Sequence, residues 1–127
     1  LIDFMDTVGF DYTSVFAYSR EEGSLAAKMD GQVDEEVKLE RAQEAMDLAE
    51  SLGFAATAVH VGERAQVIVD GIEETEDGAE LIGHAWFQAP DSDGAVHLDA
   101  SEASVGDILT VEFTDSFCYE LIGHVVE

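Results

Sequence analysis

Positively charged side chains are scarce in this sequence, and its second half has none. The 127 residues hold five Lys and Arg against 29 Asp and Glu, and fifteen of those carboxylates but no Lys or Arg follow Arg64. Because nucleic-acid affinity comes largely from Lys and Arg that displace counterions, this half is a poor match for a phosphate backbone or an anionic membrane. A basic protein is the natural electrostatic partner. Acidity of this kind also serves solubility or adaptation to salt, and the sequence leaves that alternative open.

Cysteine occurs once, at Cys118, so the sequence contains no disulfide framework and no cysteine metal cluster. We interpret Cys118 as a half-buried core residue beside Phe117. No apolar run approaches the roughly 20 residues of a membrane helix. The first residues also lack the basic and apolar regions of a secretory signal, so we expect an intracellular, cytoplasmic protein.

Motifs for catalysis are absent as well. The sequence has neither a G-x-x-x-x-G-K-S/T loop nor a G-x-G-x-x-G turn. The four histidines share no i, i+4 spacing, which excludes an H-E-x-x-H zinc site. Carboxylates are too numerous for spacing to identify a catalytic pair. We therefore predict no catalytic, cofactor-binding or metal-ligating residue in this chain.

Residues 1–60 are expected to be the end of a larger domain. A short buried strand is predicted at 14–18 and a helix at 34–52, with Asp34 as N-cap and Gly53 as its C-terminal stop. One face of the helix carries Val37, Arg41 (through its stem), Ala45, Leu48 and Leu52. One strand and one helix cannot form a domain, so we expect this stripe to pack on the second half or on another copy, as a weak dimer through helix 34–52.

The sequence pattern of residues 61–127 is typical of a small β-domain. Strands are predicted at about 64–71, 80–88, 95–99, 107–114 and 119–126, separated by turn sequences. Five short antiparallel strands in this length suggest an OB-like barrel, so the fold class is mainly β with one helix. The pentapeptide ELIGH occurs at 80–84 and 120–124. We interpret Gly83 and Gly123 as bends, and a paired role for His84 and His124 is the alternative.

Candidate binding residues lie in, or directly after, the stretch ELIGHAWFQAPDSDGAVHL, residues 80–98. Trp86 and Phe87 are neighbours, so on a strand they would point to opposite faces and one would be exposed. Asp91, Asp93 and Asp99 could form an acidic rim, although Asp is also the ordinary choice at turns. The acidic run at 73–77 is interpreted as a solvated hairpin tip, and weak cation binding is the alternative.

Longer motifs resemble a known family. FDYTSVFAYSREEGSLAA, at 10–27, resembles the closing segment of the radical-SAM barrel in the MiaB/RimO family of methylthiotransferases. Residues 61–127 resemble the TRAM domain that ends those enzymes. APDSDG at 89–94 and YELIGHVV at 119–126 are similar to motifs of the RimO branch, which modifies a small-subunit ribosomal protein. The family usually has Arg where His84 stands.

The resemblance implies a parent enzyme that uses S-adenosylmethionine and two [4Fe–4S] clusters. Its cluster cysteines are absent here, so this chain should hold no cofactor and be inactive alone. The implied function is docking of a basic ribosomal protein on an acidic TRAM barrel, with tRNA an unfavoured partner. The predicted contact residues are His84, Trp86, Phe87, Asp91, Asp93 and Asp99. The alternatives are the RNA-binding end of a tRNA methylthiotransferase and an independent acidic scaffold barrel.

Overall fold

Helices come first and strands follow in the computed structural model of this chain, which describes residues 1–99 and 102–127. These residues divide into two units, Leu1–Leu52 and Gly53–Glu127, each with its own packing. No helix in the described ranges combines the length and apolar character needed to cross a membrane.

The first unit is helical and contains no strand among its described residues. Helix α1, Ile2–Val8, is followed by a short 3-10 helix, Ala26–Lys28. The strand predicted at 14–18 is wrong: residues 13–20 form neither helix nor strand. A strand needs a neighbour for its backbone hydrogen bonds, and this unit offers none. Met5 of α1 instead packs with Ala45 and Ala49, so α1 covers part of the apolar stripe predicted for the long helix.

Helix α2, Glu35–Ala58, is longer than predicted, because Gly53 does not end it. Gly53 lies inside the helix, where its carbonyl accepts a hydrogen bond from Thr57 Oγ1 at 2.9 Å. An interior glycine costs only about 1 kcal/mol, and the residues after it sustain the helix. The chain turns at Gly62, which has the left-handed φ of 92°, and Gly62 N–H donates to the Phe113 carbonyl at 2.8 Å.

The second unit contains a closed five-stranded barrel, as the sequence predicted. Its strands are β1 Arg64–Thr75, β2 Gly78–Ala85, β3 Val96–Asp99, β4 Ile108–Phe117 and β5 Glu120–Val125. They pair in the order β1-β2-β3-β5-β4, and β1 and β4 close the ring. Four of the pairs are antiparallel as predicted, but the β3–β5 pair is parallel, so the barrel is not antiparallel throughout.

Alternation of side chains along the strands fills the barrel. The buried core residues are Val67, Val69, Leu81, Ala85, Val96, Leu98, Val111, Phe113 and Leu121. The intervening residues face outward, so the barrel surface takes its charge from them.

The two ELIGH copies occupy equivalent places. Gly83 pairs with Val69 where β1 shifts register, and Gly123 pairs with Phe113 where β4 shifts register. A Cβ on Gly83 would lie 2.5 Å from the Ile68 carbonyl oxygen, and one on Gly123 would lie 2.9 Å from that of Glu112. Each glycine therefore lets its strand approach a bulged neighbour closely, which increases local twist and helps the sheet close.

The β4–β5 turn holds Cys118, and its predicted burial is wrong. Phe117 pairs with Glu120, so Cys118 and Tyr119 are the two turn residues, and Cys118 has a φ of 55°. The thiol is exposed because a tight hairpin turn points away from the core.

Candidate partner-binding surface

A tight turn follows β2 and sets the position of Trp86. The predicted strand at 80–88 is too long, since β2 ends at Ala85. Gln88 closes the turn twice: its side-chain Oε1 accepts from Ala85 N–H at 3.0 Å, and its own N–H donates to the Ala85 carbonyl at 3.1 Å. Trp86 lies at this turn with 83% of its surface exposed.

Phe87 lies on the other side of the turn and packs into the protein. Its ring stacks on His60, with centroids 3.8 Å apart and planes 4° from parallel. Its other contacts are edge-type, with Phe113 of the core at 6.0 Å and with Trp86 at 5.4 Å. Phe87 is therefore the support under the turn, and Trp86 is the aromatic residue that faces solvent.

The loop at residues 86–94, called here the Trp86 loop, separates the roles of its two aspartates. Asp93 accepts a hydrogen bond from Ala89 N–H at 2.7 Å, so it closes the loop. Asp91 is exposed, has a φ of 63°, and accepts no hydrogen bond from the described residues. Gly94 then passes so close to the Tyr119 backbone that any Cβ would overlap it. The loop is thus a constrained structure with one uncommitted carboxylate.

His84 and Asp99 lie on the outer face of the barrel. His84 Nδ1 is 2.7 Å from Asp70 Oδ2, so the imidazole is already paired with a neighbouring strand. Asp99 is exposed at the end of β3, directly opposite Glu80 of β2. Since Gly83 pairs with Val96, His84 and Asp99 lie roughly 13 Å apart along the strands.

A cluster centred on His97, called here the His97 cluster, joins three strands on the outer face. His97 Nδ1 is 3.2 Å from Glu80 Oε2 on β2, and its Nε2 is 2.9 Å from Glu120 Oε2 on β5. Glu120 Oε2 also accepts Ala95 N–H at 2.8 Å. The imidazole thus lies between two carboxylates, and Asp99 stands next to one of them.

The charge state of His97 follows from this arrangement. Burial alone would lower its pKa, but hydrogen bonds to Glu80 and Glu120 and the attraction of both charges outweigh it. The net result raises the pKa of His97 above its ordinary 6.5. When His97 is protonated, its imidazolium offsets part of a local concentration of negative charge.

The structure brings the six predicted contact residues into two groups. Trp86, Phe87, Asp91 and Asp93 share the Trp86 loop, whereas His84 and Asp99 lie on the outer strand face. The His97 cluster was not among the features predicted from the sequence. A signal was available, because Glu80 and Glu120 are the first residues of the two ELIGH copies, and β3 lies between the strands that carry them.

This chain does not supply the set of thiolates that the iron–sulfur clusters of the implied parent enzyme would need. Such clusters are held by several cysteine thiolates, and Cys118 is the one cysteine of the sequence, exposed at a turn. Within residues 1–99 and 102–127, no group of three or more His, Cys, Asp and Glu is arranged to hold a metal ion.

Curated relatives match this chain along its whole length. Ribosomal protein uS12 methylthiotransferase RimO from Pelobacter propionicus is 45% identical over 128 residues, and that from Trichlorobacter lovleyi is 42% identical over 128 residues. Both alignments cover 100% of this chain and 28% of the relative. The Geobacter sulfurreducens protein of the same name is 43% identical over 127 residues, with 99% and 28% covered.

The barrel also matches a family model. Residues 61–126, which include all five strands, match the model described as TRAM domain. This range is more than half of the 127 residues. The chain therefore belongs to the TRAM domain family.

Proposed function

We propose that this chain is the C-terminal, substrate-docking region of a methylthiotransferase that modifies a small-subunit ribosomal protein. The observation that carries the proposal is the similarity of the whole chain to proteins named for uS12 methylthiotransfer, at 42–45% identity in the first two. The chain spans about 28% of the length of those relatives. In this proposal, residues 1–60 end the catalytic domain, and residues 61–127 form the docking barrel.

The chemistry would belong to the rest of the parent enzyme. S-adenosylmethionine and two [4Fe–4S] clusters would be held there, since this chain has one exposed cysteine. The barrel would bind and orient the substrate, so the chain alone is not expected to transfer a methylthio group. Dimerisation through helix 34–52 stays a prediction.

Electrostatics support a basic protein as the partner. Residues 65–127 carry fifteen carboxylates and no Lys or Arg, and ribosomal proteins that bind RNA are rich in positive charge. Long-range attraction would speed their encounter with the barrel, while a phosphate backbone would be repelled. The same charge argues against the second candidate, an RNA-binding barrel of a tRNA methylthiotransferase.

The proposal is tested by calorimetric titration of the full chain with purified uS12. We expect saturable binding that weakens as salt is added. The double variant Asp91→Asn/Asp99→Asn, on the barrel, should bind about threefold or more weakly than the native chain. The matched control Glu40→Gln/Glu44→Gln removes two exposed charges from α2. If uS12 does not bind at low salt, or if both double variants lose the same affinity, the barrel is not the docking site.

A further inference from the structure

We propose that Trp86 and Asp91 form a recognition point for an arginine side chain of the basic partner. This inference rests on the proposed function and deepens it, because it names the chemical group that the Trp86 loop receives. The indole would stack on the guanidinium, and the carboxylate of Asp91 would bind its N–H groups.

The position of Trp86 is the first argument. Trp86 is 83% exposed and lies in an acidic loop. An exposed tryptophan contributes little to folding, so its presence here needs another explanation. Its ring stands at 89° to the Phe87 ring, with centroids 5.4 Å apart, so the neighbour contacts the indole without covering it. A large aromatic surface held open to solvent is typical of residues that carry binding energy.

The Trp86 loop is held in place by several contacts, which also supports the proposal. Phe87 is clamped between the His60 face and the Phe113 edge, and His60 is in turn paired with Glu63 at 2.8 Å. Gln88 closes the turn, and Asp93 closes the loop. Because these contacts already fix the loop, little conformational entropy would be lost when a partner binds.

The local charge favours a cationic side chain at Trp86 and Asp91. A cation over the face of an indole is attracted by the ring electrons, and no Lys or Arg of residues 65–127 competes for this position. Asp91 accepts no hydrogen bond from the described residues, whereas Asp93 is committed to the loop. An uncommitted carboxylate in the same short loop as an exposed indole fits the flat, multiply donating guanidinium better than the compact ammonium of lysine.

A nucleic-acid base could also stack on an exposed indole, but the surface around it disfavours a polyanion. Carboxylates surround Trp86 along the chain, with Glu80 before it and Asp91, Asp93 and Asp99 after it. An arginine gains from this field, and a nucleotide is repelled by it. RNA is therefore an outcome that the experiment must be able to reveal.

The experiment uses the fluorescence of Trp86, which is the one tryptophan of the sequence. The full chain is titrated with a short arginine-rich peptide, with the same peptide carrying lysine at those positions, and with an RNA oligonucleotide. We expect a saturable change in Trp86 emission with the arginine peptide and about fivefold weaker binding of the lysine peptide. A stronger saturable change with RNA would overturn the inference.

Variants then separate the local inference from the proposed function. In calorimetric titrations, Trp86→Ala should bring the preference for arginine over lysine close to one, and Asp91→Asn should reduce it. Phe117→Ala, which removes an exposed aromatic ring from the β4–β5 hairpin, should leave it unchanged. If native chain and Trp86→Ala bind uS12 equally well, the docking function stands and the arginine site falls. If uS12 does not bind but the arginine preference depends on Trp86, the docking function falls and the site stands.

Discussion

The Nε2 atom of His97 lies 2.9 Å from Oε2 of Glu120, and this contact bridges the parallel pairing of β3 and β5. β3 is four residues long, and three of them pair with β5. Few backbone hydrogen bonds hold the barrel together there. The His97 cluster therefore supplies side-chain contacts where the backbone supplies few.

His97→Gln is expected to destabilise the protein more at about pH 6 than at about pH 8.5. Because the folded pKa of His97 is raised, its stabilising contribution is complete below the ordinary value of 6.5 and is lost as the pH rises through the higher folded value. Urea unfolding of both proteins, followed by far-UV circular dichroism across this range, measures the difference. NMR titration of His97 in Glu80→Gln should show a lower pKa. A stability difference that does not change with pH would contradict this account.

The close approach of Gly94 to Tyr119 predicts a large effect from one methyl group. Gly94→Ala would place a Cβ against the Tyr119 carbonyl, and a rigid backbone atom cannot move aside cheaply. The free energy of unfolding should fall by about 2 kcal/mol or more. Gly71→Ala is the matched control, because its Cβ meets nothing within 4 Å, and it should change stability by less than about 0.5 kcal/mol. Equal effects in denaturant unfolding would refute the close packing of the Trp86 loop.

Truncation to alanine is expected to destabilise the protein much more at Phe87 than at Trp86. Phe87→Ala removes the contacts with His60 and Phe113 and should cost about 2 kcal/mol of unfolding free energy, less than a fully buried ring. Trp86→Ala should change stability by less than about 0.5 kcal/mol, because the ring is mostly exposed. Thermal unfolding of both variants measures this contrast. A large loss of stability in Trp86→Ala would show that Trp86 has a structural role.

Cys118 should react in the folded protein. Its thiol is exposed at the β4–β5 turn, so a thiol reagent should label it without denaturant. The control is the same reaction in urea, which should be little faster. If Cys118 is labelled only in urea, the thiol is buried in the folded protein, as the sequence suggested.

The barrel was predictable because its strands alternate between apolar and polar residues and are separated by clear turn sequences. The C-terminal end of α2 was not predictable, because Gly53 is a helix-ending residue only when it takes a left-handed backbone, and here the helix passes through it. The prediction of a strand at 14–18 was wrong for a different reason. Its β-branched and aromatic composition was present, but a partner strand was not.

The residues of the candidate binding surface could be predicted from the sequence, but their arrangement in space could not. Alternation placed Trp86 and Phe87 on opposite sides, but the side chain of Gln88 ends β2 at Ala85, and no local propensity reveals that hydrogen bond. The His97 cluster depends on β3 lying between β2 and β5, which is a property of the strand order. The repeated ELIGH drew attention to its histidines, whereas its glutamates are the residues that converge.

The most direct test of the central claim is a pair of binding titrations on the full chain, one with uS12 and one with tRNA, each at about 50 mM and about 300 mM salt. If the acidic barrel receives a basic protein, uS12 binds saturably at low salt and more weakly at high salt, while tRNA shows no saturable binding. Tight, salt-sensitive binding of tRNA together with no binding of uS12 would contradict it.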